Sequence, residues 1–186
     1  MFPTAFGKPT MLKLTPILLL TLPAAADVLY VNGSRTTGAN TGASWADAFR
    51  GPNALQAALA TARPGDEVWV AQGVYRPAPP GGPRTSAFRL VSGVRVYGGF
   101  AGGEHTPAER GPGHTTTLSG DLNGNDAGEN NRGENSARVV TGFDLAAGSL
   151  IDGFTITAAE NELSPADFRG HGGGLLLIGG SPTVRG

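Results

Sequence analysis

The chain of 186 residues has no cysteine, and its two lysines, Lys8 and Lys13, both lie near the amino terminus. Without cysteine, the protein can form no disulfide framework, no thiolate nucleophile and no cysteine-ligated metal site. Beyond Lys13, arginine is the only strongly basic residue, which excludes a lysine Schiff base and a P-loop lysine from that part of the chain. The fold must therefore be held together by apolar burial and backbone hydrogen bonds.

The chain also has little charge of either sign. Its formal net charge is -1, with 16% charged residues, and it has no basic face or Lys/Arg cluster of the kind that binds nucleic acid or anionic lipid. We therefore expect no nucleic-acid partner. What the chain does have is 30 glycines and 14 prolines, a composition that favours turn-dense β structure over a helical bundle.

Long apolar runs are scarce, and the one at residues 14–22 lies in a segment with the features of a secretory signal peptide. The two lysines lie before and at its start, and small residues follow it up to Ala26. The run is too short to cross a bilayer stably, and the small residues suit cleavage after Ala26. The sequence predicts a signal peptide over residues 1–26, starting at the first or second methionine. It also predicts a secreted or cell-surface protein without a transmembrane segment in its mature part.

The rest of the chain contains short apolar runs separated by Gly, Pro, Asn and Asp, which is typical of strands. Their centres recur about every two dozen residues, which favours the stacked turns of a β-solenoid over a sandwich, with a propeller or jelly roll as alternatives. The expected strands cover residues 27–32, 67–71, 87–90, 94–97, 115–118, 138–141, 150–157 and 175–178. The expected core residues are Val68, Val70, Val94, Val96, Leu118, Val139, Ile151, Phe154, Ile156, Leu175 and Leu177.

One segment, residues 54–62, has the period of a helix. Leu55, Leu59 and Ala62 fall on one of its faces. A helix of this length is not stable alone in water, so we expect it to pack over the first strands. This division predicts an amino-terminal cap over residues 27–65 and a solenoid over residues 66–186.

Several phrases along the chain occur in the order typical of one protein family. They are residues 29–31 (LYV), 42–45 (GASW), 65–75 (GDEVWVAQGVY), 97–102 (YGGFAG), 118–121 (LSGD), 152–156 (DGFTI) and 172–174 (GGG). With them, the chain resembles the bacterial right-handed parallel β-helix surface proteins, which are pectin-lyase-like in fold and similar in style to polymorphic outer-membrane proteins. The resemblance implies an all-β fold, a right-handed parallel β-helix (solenoid) with an amino-terminal cap that contains one short α-helix.

The resemblance also implies a class of function. Members of this family look like adhesins, passenger domains and carbohydrate-active proteins. We therefore expect a non-catalytic scaffold, secreted or at the cell surface, that binds a polysaccharide or another extracellular partner. The chain stops at Gly186 within an expected turn. This predicts self-association through the open turn, or else a gene product truncated at its carboxyl end; a truncated fragment without function is a further alternative.

The alternative function is a calcium-dependent or acid/base polysaccharide lyase or glycosidase of the pectin-lyase-like fold. His171, within Gly-His-Gly, resembles a polygalacturonase motif, but the grouped aspartates of that chemistry do not precede it. By resemblance to pectate lyases, an arginine would be the base, and Arg95 and Arg138 lie in expected strands. Outward polar residues are also common on the solvent-exposed face of a sheet. No catalytic or cofactor-binding residue is predicted.

The most polar segment of the chain contains part of a calcium-loop pattern. Asp121, Asn123 and Asn125 fall at its positions 1, 3 and 5, where oxygen ligands can converge on a hard cation. The glycine and final acid of the standard loop are missing, and Glu129 or Glu134 would have to complete the set. The sequence thus predicts calcium as the one candidate cofactor, with Asp121, Asn123, Asn125 and Glu129 as ligands; the alternative is a solvated insertion.

Aromatic residues in the amino-terminal half are candidates for stacking on sugar rings. These are Tyr30, Trp45, Trp69, Tyr75, Tyr97 and Phe100. Because successive side chains of a strand point to opposite faces, Trp69 must point away from Val68 and Val70. We expect Trp69 to pack beneath the helix, with ligand binding as the alternative.

Overall fold

A computed structural model describes residues 25–161 and 173–186. The predicted signal peptide lies outside the described residues apart from its last two positions, and His171 lies outside them as well. The described part of the chain forms eleven strands, one α-helix and one 3₁₀ turn.

The helix α1 spans Ala54–Thr61, and the 3₁₀ turn spans Pro107–Glu109. The strands are β1 (Val28–Val31), β2 (Glu67–Ala71), β3 (Gly73–Tyr75), β4 (Phe88–Arg89), β5 (Arg95–Phe100), β6 (Thr116–Ser119), β7 (Val140–Leu145), β8 (Leu150–Asp152), β9 (Phe154–Thr157), β10 (Leu175–Gly180) and β11 (Thr183–Arg185).

The strands form three sheets in which every pairing between strands is parallel. A five-stranded sheet has the order β1-β2-β5-β8-β11, and two three-stranded sheets have the orders β10-β7-β4 and β3-β6-β9. From β2 onward, consecutive strands belong to different sheets. Each sheet is therefore built from segments far apart in sequence, and loops on the surface connect them.

Inward-facing side chains form rows because the register places equivalent positions side by side. In the five-stranded sheet, Val68 pairs with Val96 and Val96 pairs with Ile151, and each is 3% exposed or less. In the second sheet, Phe88 pairs with Val140, and both are buried. Rows from all three sheets meet in one hydrophobic cluster, which is the main source of stability in a protein without disulfides.

The helix α1 contributes to the same core. Its buried residues are Ala54, Leu55, Ala58 and Leu59, and it contacts β1, β2 and β4. Asn53, at its N-cap, makes no side-chain capping bond, and its first turn has no acid. A helix this short depends on tertiary packing, so α1 is held in place by the core that it helps to cover.

The predicted fold class, an all-β right-handed parallel β-helix (solenoid), is wrong. The described residues form a mixed structure of three parallel sheets and one α-helix. The physical reason is that the helix is not an accessory to a β core: its leucines and alanines belong to the central hydrophobic cluster with the sheet residues.

The predicted strands differ from the observed ones in their bounds, for example 138–141 against Val140–Leu145, and in two further ways. Residues 150–157 were expected to form one strand, but they form β8 and β9, which belong to different sheets. Gly153, with φ of 78°, separates them, a backbone conformation that favours glycine. The expected strands also omit β3 and β11, which are only three residues long.

Most of the predicted core residues are buried in the structure. Val68, Val70, Val94, Val96, Leu118, Val139 and Ile151 are among the fully buried residues, whereas Phe154, Ile156, Leu175 and Leu177 are partly buried against them. The prediction missed Phe88, Val140 and Leu145, which are at most 1% exposed.

We predict that Leu55→Ala lowers the free energy of unfolding by about 2–5 kcal/mol, because Leu55 is 2% exposed in the core. Urea unfolding of the purified protein measures the change. The matched control is Val74→Ala at a side chain that is 56% exposed, with an expected change within about 0.5 kcal/mol. If the two substitutions cost the same, α1 is not part of the core.

We also predict that stability falls at alkaline pH through Tyr75. Its hydroxyl donates to the Ala71 carbonyl at 3.0 Å and accepts from the Gly33 N–H at 3.2 Å. Burial raises the pKa of Tyr75 above its ordinary 10.0, opposed by the smaller effect of the Gly33 hydrogen bond. Stability from the neutral phenol is therefore complete below the ordinary pKa and is lost as pH rises through the folded-state pKa.

Urea unfolding between about pH 9 and about pH 11 tests this effect. The free energy of unfolding should fall more steeply in the parent than in Tyr75→Phe, which has no phenol to ionise. Parallel pH profiles for the two proteins would show that Tyr75 makes no such contribution.

Candidate functional site

The outer face of the five-stranded sheet carries a row of polar and aromatic side chains. Because Val68, Val96 and Ile151 point inward, their neighbours along each strand point outward. The register aligns these neighbours in the order Tyr30, Trp69, Tyr97, Asp152 and Arg185. This outer row is the first candidate surface.

At the aromatic end of the row, Trp69 is closed to a ligand, whereas Tyr30 and Trp45 are partly exposed. The Trp69 ring stacks on Phe100 with centroids 4.9 Å apart and meets Tyr30 edge-on at 5.6 Å, while Trp45 packs against both Tyr30 and Phe100. Trp69 is only 3% exposed. The expectation that it packs beneath the helix is not met, because it lies outside the cluster that α1 joins.

The centre of the row is open, and Arg110 reaches over it from the end of the 3₁₀ turn. The guanidinium carbon lies 5.2 Å from the centre of the Tyr97 ring and 5.7 Å from that of Phe100. Arginine on an aromatic face is a favourable cation–π arrangement. Burial raises the pKa of the Tyr97 phenol, and the Glu67 carboxylate raises it further, so this ring remains neutral beneath the cation.

Three hydrogen bonds fix the Arg110 guanidinium. It donates to the carbonyls of Pro107 at 2.8 Å and Gly98 at 3.0 Å, and to Asp152 Oδ2 at 3.1 Å. Its side chain remains 21% exposed. A guanidinium has five N–H donors, so two donors remain for a ligand after these three bonds.

Arg110 lines a groove of about 680 Å³, which we call the Arg110 groove. One wall comes from the loop over residues 107–116, and the other comes from residues 98–99 and 153–155. Among the described residues that line it, none is an aspartate or a glutamate. The lining therefore contains the Arg110 cation and no carboxylate, and the Asp152 carboxylate that pairs with Arg110 is not one of the lining residues.

His114 contributes an acceptor to the same groove. Its Nδ1 lies 3.1 Å from the side-chain oxygen of Gln72. In the neutral tautomer that donates from Nδ1 to this oxygen, Nε2 is an acceptor. The exposed Thr115 lines the groove beside it and adds a hydroxyl that can both donate and accept.

Two glycines bring backbone against backbone at the floor of the groove. A β-carbon on Gly98 would lie 2.5 Å from the Gly153 carbonyl oxygen, and one on Gly153 would lie 2.9 Å from the Gly98 oxygen. Any side chain at Gly98 or Gly153 would push the two main-chain segments apart. The sequence shows both glycines, but their proximity depends on a pairing between distant strands.

A second groove, of about 690 Å³, lies on the sheet formed by β4, β7 and β10 and is lined by Arg89, Arg138 and Phe143 among others. The Arg89 guanidinium lies 5.7 Å from the Phe143 ring centre. Its lining extends to Asn161, the last residue before the undescribed segment 162–172.

The predicted calcium ligands do not form one group in the structure. Asp121 accepts backbone N–H bonds from residues 124, 125 and 126. The side-chain oxygen of Asn123 accepts instead from Gly81 N–H at 3.1 Å, and the Glu129 side chain is 90% exposed and paired with Arg132 at 2.6 Å. The side chain of Asn125 is also exposed.

Asp121 instead belongs to a different group, which we call the acidic cluster. Asp121, Asp126 and Glu134 each place a carboxylate oxygen within 4.8 Å of the other two. The three residues are partly buried. The calcium-loop pattern does not include Asp126, because it requires glycine at that position of the loop. It includes Glu134 only as an alternative to Glu129.

The arginines considered as lyase bases have structural partners. Arg95 pairs with Glu67 at 2.8 Å, and Arg138 also has an interaction partner. The ion pair between an arginine and Asp152 is made by Arg110. Arg110 lies in a loop, and the strand pattern of the sequence gives no signal for a site residue there.

The chain matches no protein-family model, and no curated protein or solved structure is significantly similar to it. The resemblance to bacterial β-helix surface proteins thus remains a prediction from the sequence. Within the described residues, no helix is long and apolar enough to span a bilayer.

We predict that Gly98→Ala lowers the free energy of unfolding by about 1–3 kcal/mol, because the new methyl group would meet the Gly153 carbonyl and the Phe154 ring. Gly103→Ala is the control, since nothing lies within 4 Å of a β-carbon there, and its cost should stay within about 0.5 kcal/mol. Thermal or urea unfolding measures both. Equal stability of the two variants would contradict the close contact at the groove floor.

Proposed function

We propose that this chain is a non-catalytic scaffold, secreted or held at the cell surface, that binds an extracellular carbohydrate in the Arg110 groove. The observation that carries the proposal is the Arg110 guanidinium. It is fixed against Tyr97 by ring contact and three hydrogen bonds, and two of its N–H donors are uncommitted. A donor pair held rigidly in a groove needs little ordering when a ligand binds.

The chemistry of the groove fits a saccharide. Sugar hydroxyls both donate and accept hydrogen bonds, and the groove supplies donors on Arg110, an acceptor on His114 and a hydroxyl on Thr115. A saccharide with carboxylates would bind more tightly than a neutral one, because arginine binds carboxylates in a bidentate manner. The volume of about 680 Å³ lies within the range of about 300–1,000 Å³ typical of ligand pockets. An acidic saccharide is therefore the preferred class.

Binding is favoured over cleavage by the absence of carboxylates among the described residues that line the groove. Glycoside hydrolysis uses two carboxylates, one on each side of the scissile bond. The nearby Asp152 is ion-paired with Arg110. Arg110 in turn donates to three acceptors, so it is placed to hold a ligand rather than to remove a proton.

Export rests on the signal-peptide features of residues 1–26. The composition agrees with this location, because a cysteine-free chain is unaffected by an oxidising compartment. The low charge and the lack of a basic cluster support a carbohydrate partner over nucleic acid.

The test is a panel of neutral and acidic polysaccharides, assayed for binding and for cleavage with and without calcium. We expect binding of at least one acidic polysaccharide and release of neither reducing ends nor unsaturated products. Arg110→Gln should weaken this binding about tenfold or more, because hydrogen bonds to charged groups contribute about 1.5–3 kcal/mol.

The control is Arg95→Gln, which removes an arginine from the same sheet face. Arg95 pairs with Glu67 and does not line the groove, so its loss should leave affinity unchanged. Failure of every polysaccharide to bind, or equal binding by the Arg110 variant, would refute the groove as the site. Cleavage products would show that the protein is an enzyme.

A further inference from the structure

Arg132 lies within electrostatic range of Asp126, but its ion pairs are with carboxylates outside the acidic cluster. In the described part of the chain, no ion pair includes Asp121, Asp126 or Glu134. Arg132, in the same loop, pairs with Glu129 at 2.6 Å and with Glu160 at 2.9 Å. Three carboxylates with oxygens this close repel one another unless a positive charge lies among them.

Two arginines that border the cluster donate to backbone carbonyls. Arg76 donates to the Asp121 carbonyl at 2.6 Å, and Arg84 donates to the Asn135 carbonyl at 2.9 Å. These bonds hold the first and last residues of the loop segment 121–135. They organise the loop around the cluster.

A second and independent observation comes from Asn135, whose side chain is completely buried. Its amide nitrogen donates to Asp126 Oδ2 at 2.8 Å, which holds the amide against the cluster. Its amide oxygen is buried without a hydrogen-bond partner, as are Asp126 Oδ1 and Glu134 Oε1. Buried oxygens are rarely left without a donor or a cation.

We propose that Asp121, Asp126, Glu134 and Asn135 bind a divalent metal cation, with calcium preferred. The donors are all oxygens, and the absence of nitrogen or sulfur ligands argues against a transition metal. Calcium accepts six to eight oxygens in irregular geometry, whereas magnesium demands a near-ideal octahedron and keeps several waters. This site shares Asp121 with the ligand set that the calcium-loop spacing predicts, and Glu134 with the alternative to that set.

The cation would stabilise the loop between β6 and β7. Asp121 lies just after β6, and the Ser136 N–H bonds to the Gly120 carbonyl at 2.8 Å, so the cluster joins the two ends of a long surface loop. A ligand that binds only the folded state raises stability by mass action. The site shares no residue with the Arg110 groove and does not depend on the proposed carbohydrate binding.

The experiment uses the secreted protein, stripped with a chelator and dialysed, in calorimetric titration with calcium and separately with magnesium. We expect saturable heat and a raised melting temperature with calcium, and weaker binding of magnesium. Asp126→Asn and Glu134→Gln should each weaken calcium affinity by about tenfold or more, since even partners outside the ligand shell cost 10- to 100-fold.

The matched control is Glu129→Gln in the same loop, where the exposed carboxylate pairs with Arg132; its calcium affinity should equal that of the parent. The proposal fails if the folded parent shows neither heat nor a melting shift with either ion. It also fails if both cluster variants bind as tightly as the parent, or if Glu129→Gln weakens binding as much as they do. If Asp126→Asn does not fold, the calcium titrations of Glu134→Gln and of the parent protein decide whether the site exists.

Discussion

Parallel pairing between strands that are far apart in sequence is the constraint on which the rest of the structure depends. Parallel neighbours cannot be joined by a tight hairpin, so the chain leaves each sheet and returns to it later. The register of Val68, Val96 and Ile151 then fixes which side chains face the core and which form the outer row. The intervening segments become surface loops, and these loops carry both the Arg110 groove and the acidic cluster.

Individual strands could be predicted from the sequence because their β-branched and aliphatic residues stand between glycine and proline punctuation. The strand at residues 67–71 was located with the bounds that the structure has, and the helix began at the predicted residue. Short strands such as β3 carry too few residues to give a periodic signal. The fold class was wrong because a local pattern does not show that a helix shares its core with three sheets.

The candidate site was less predictable than the strands, because its residues meet only through tertiary structure. Arg110 contacts Tyr97 and Asp152, and those two residues become neighbours only through the pairing of β5 with β8. The calcium-loop spacing identified the correct loop and Asp121. It assumed that ligands alternate along the chain, whereas the structure folds the loop back and brings Glu134 to Asp121.

The close approach of Gly98 to Gly153 means that the groove floor consists of main chain. A floor of peptide groups presents the same shape and dipoles whatever side chains stand elsewhere on the sheet. Besides Phe154 and Thr155 on the opposite wall, recognition is then decided by the loop wall, residues 107–116. Substitutions in that wall can change the preferred ligand while the sheets beneath keep their register, so selection for a new ligand and selection for a folded protein act on separate residues.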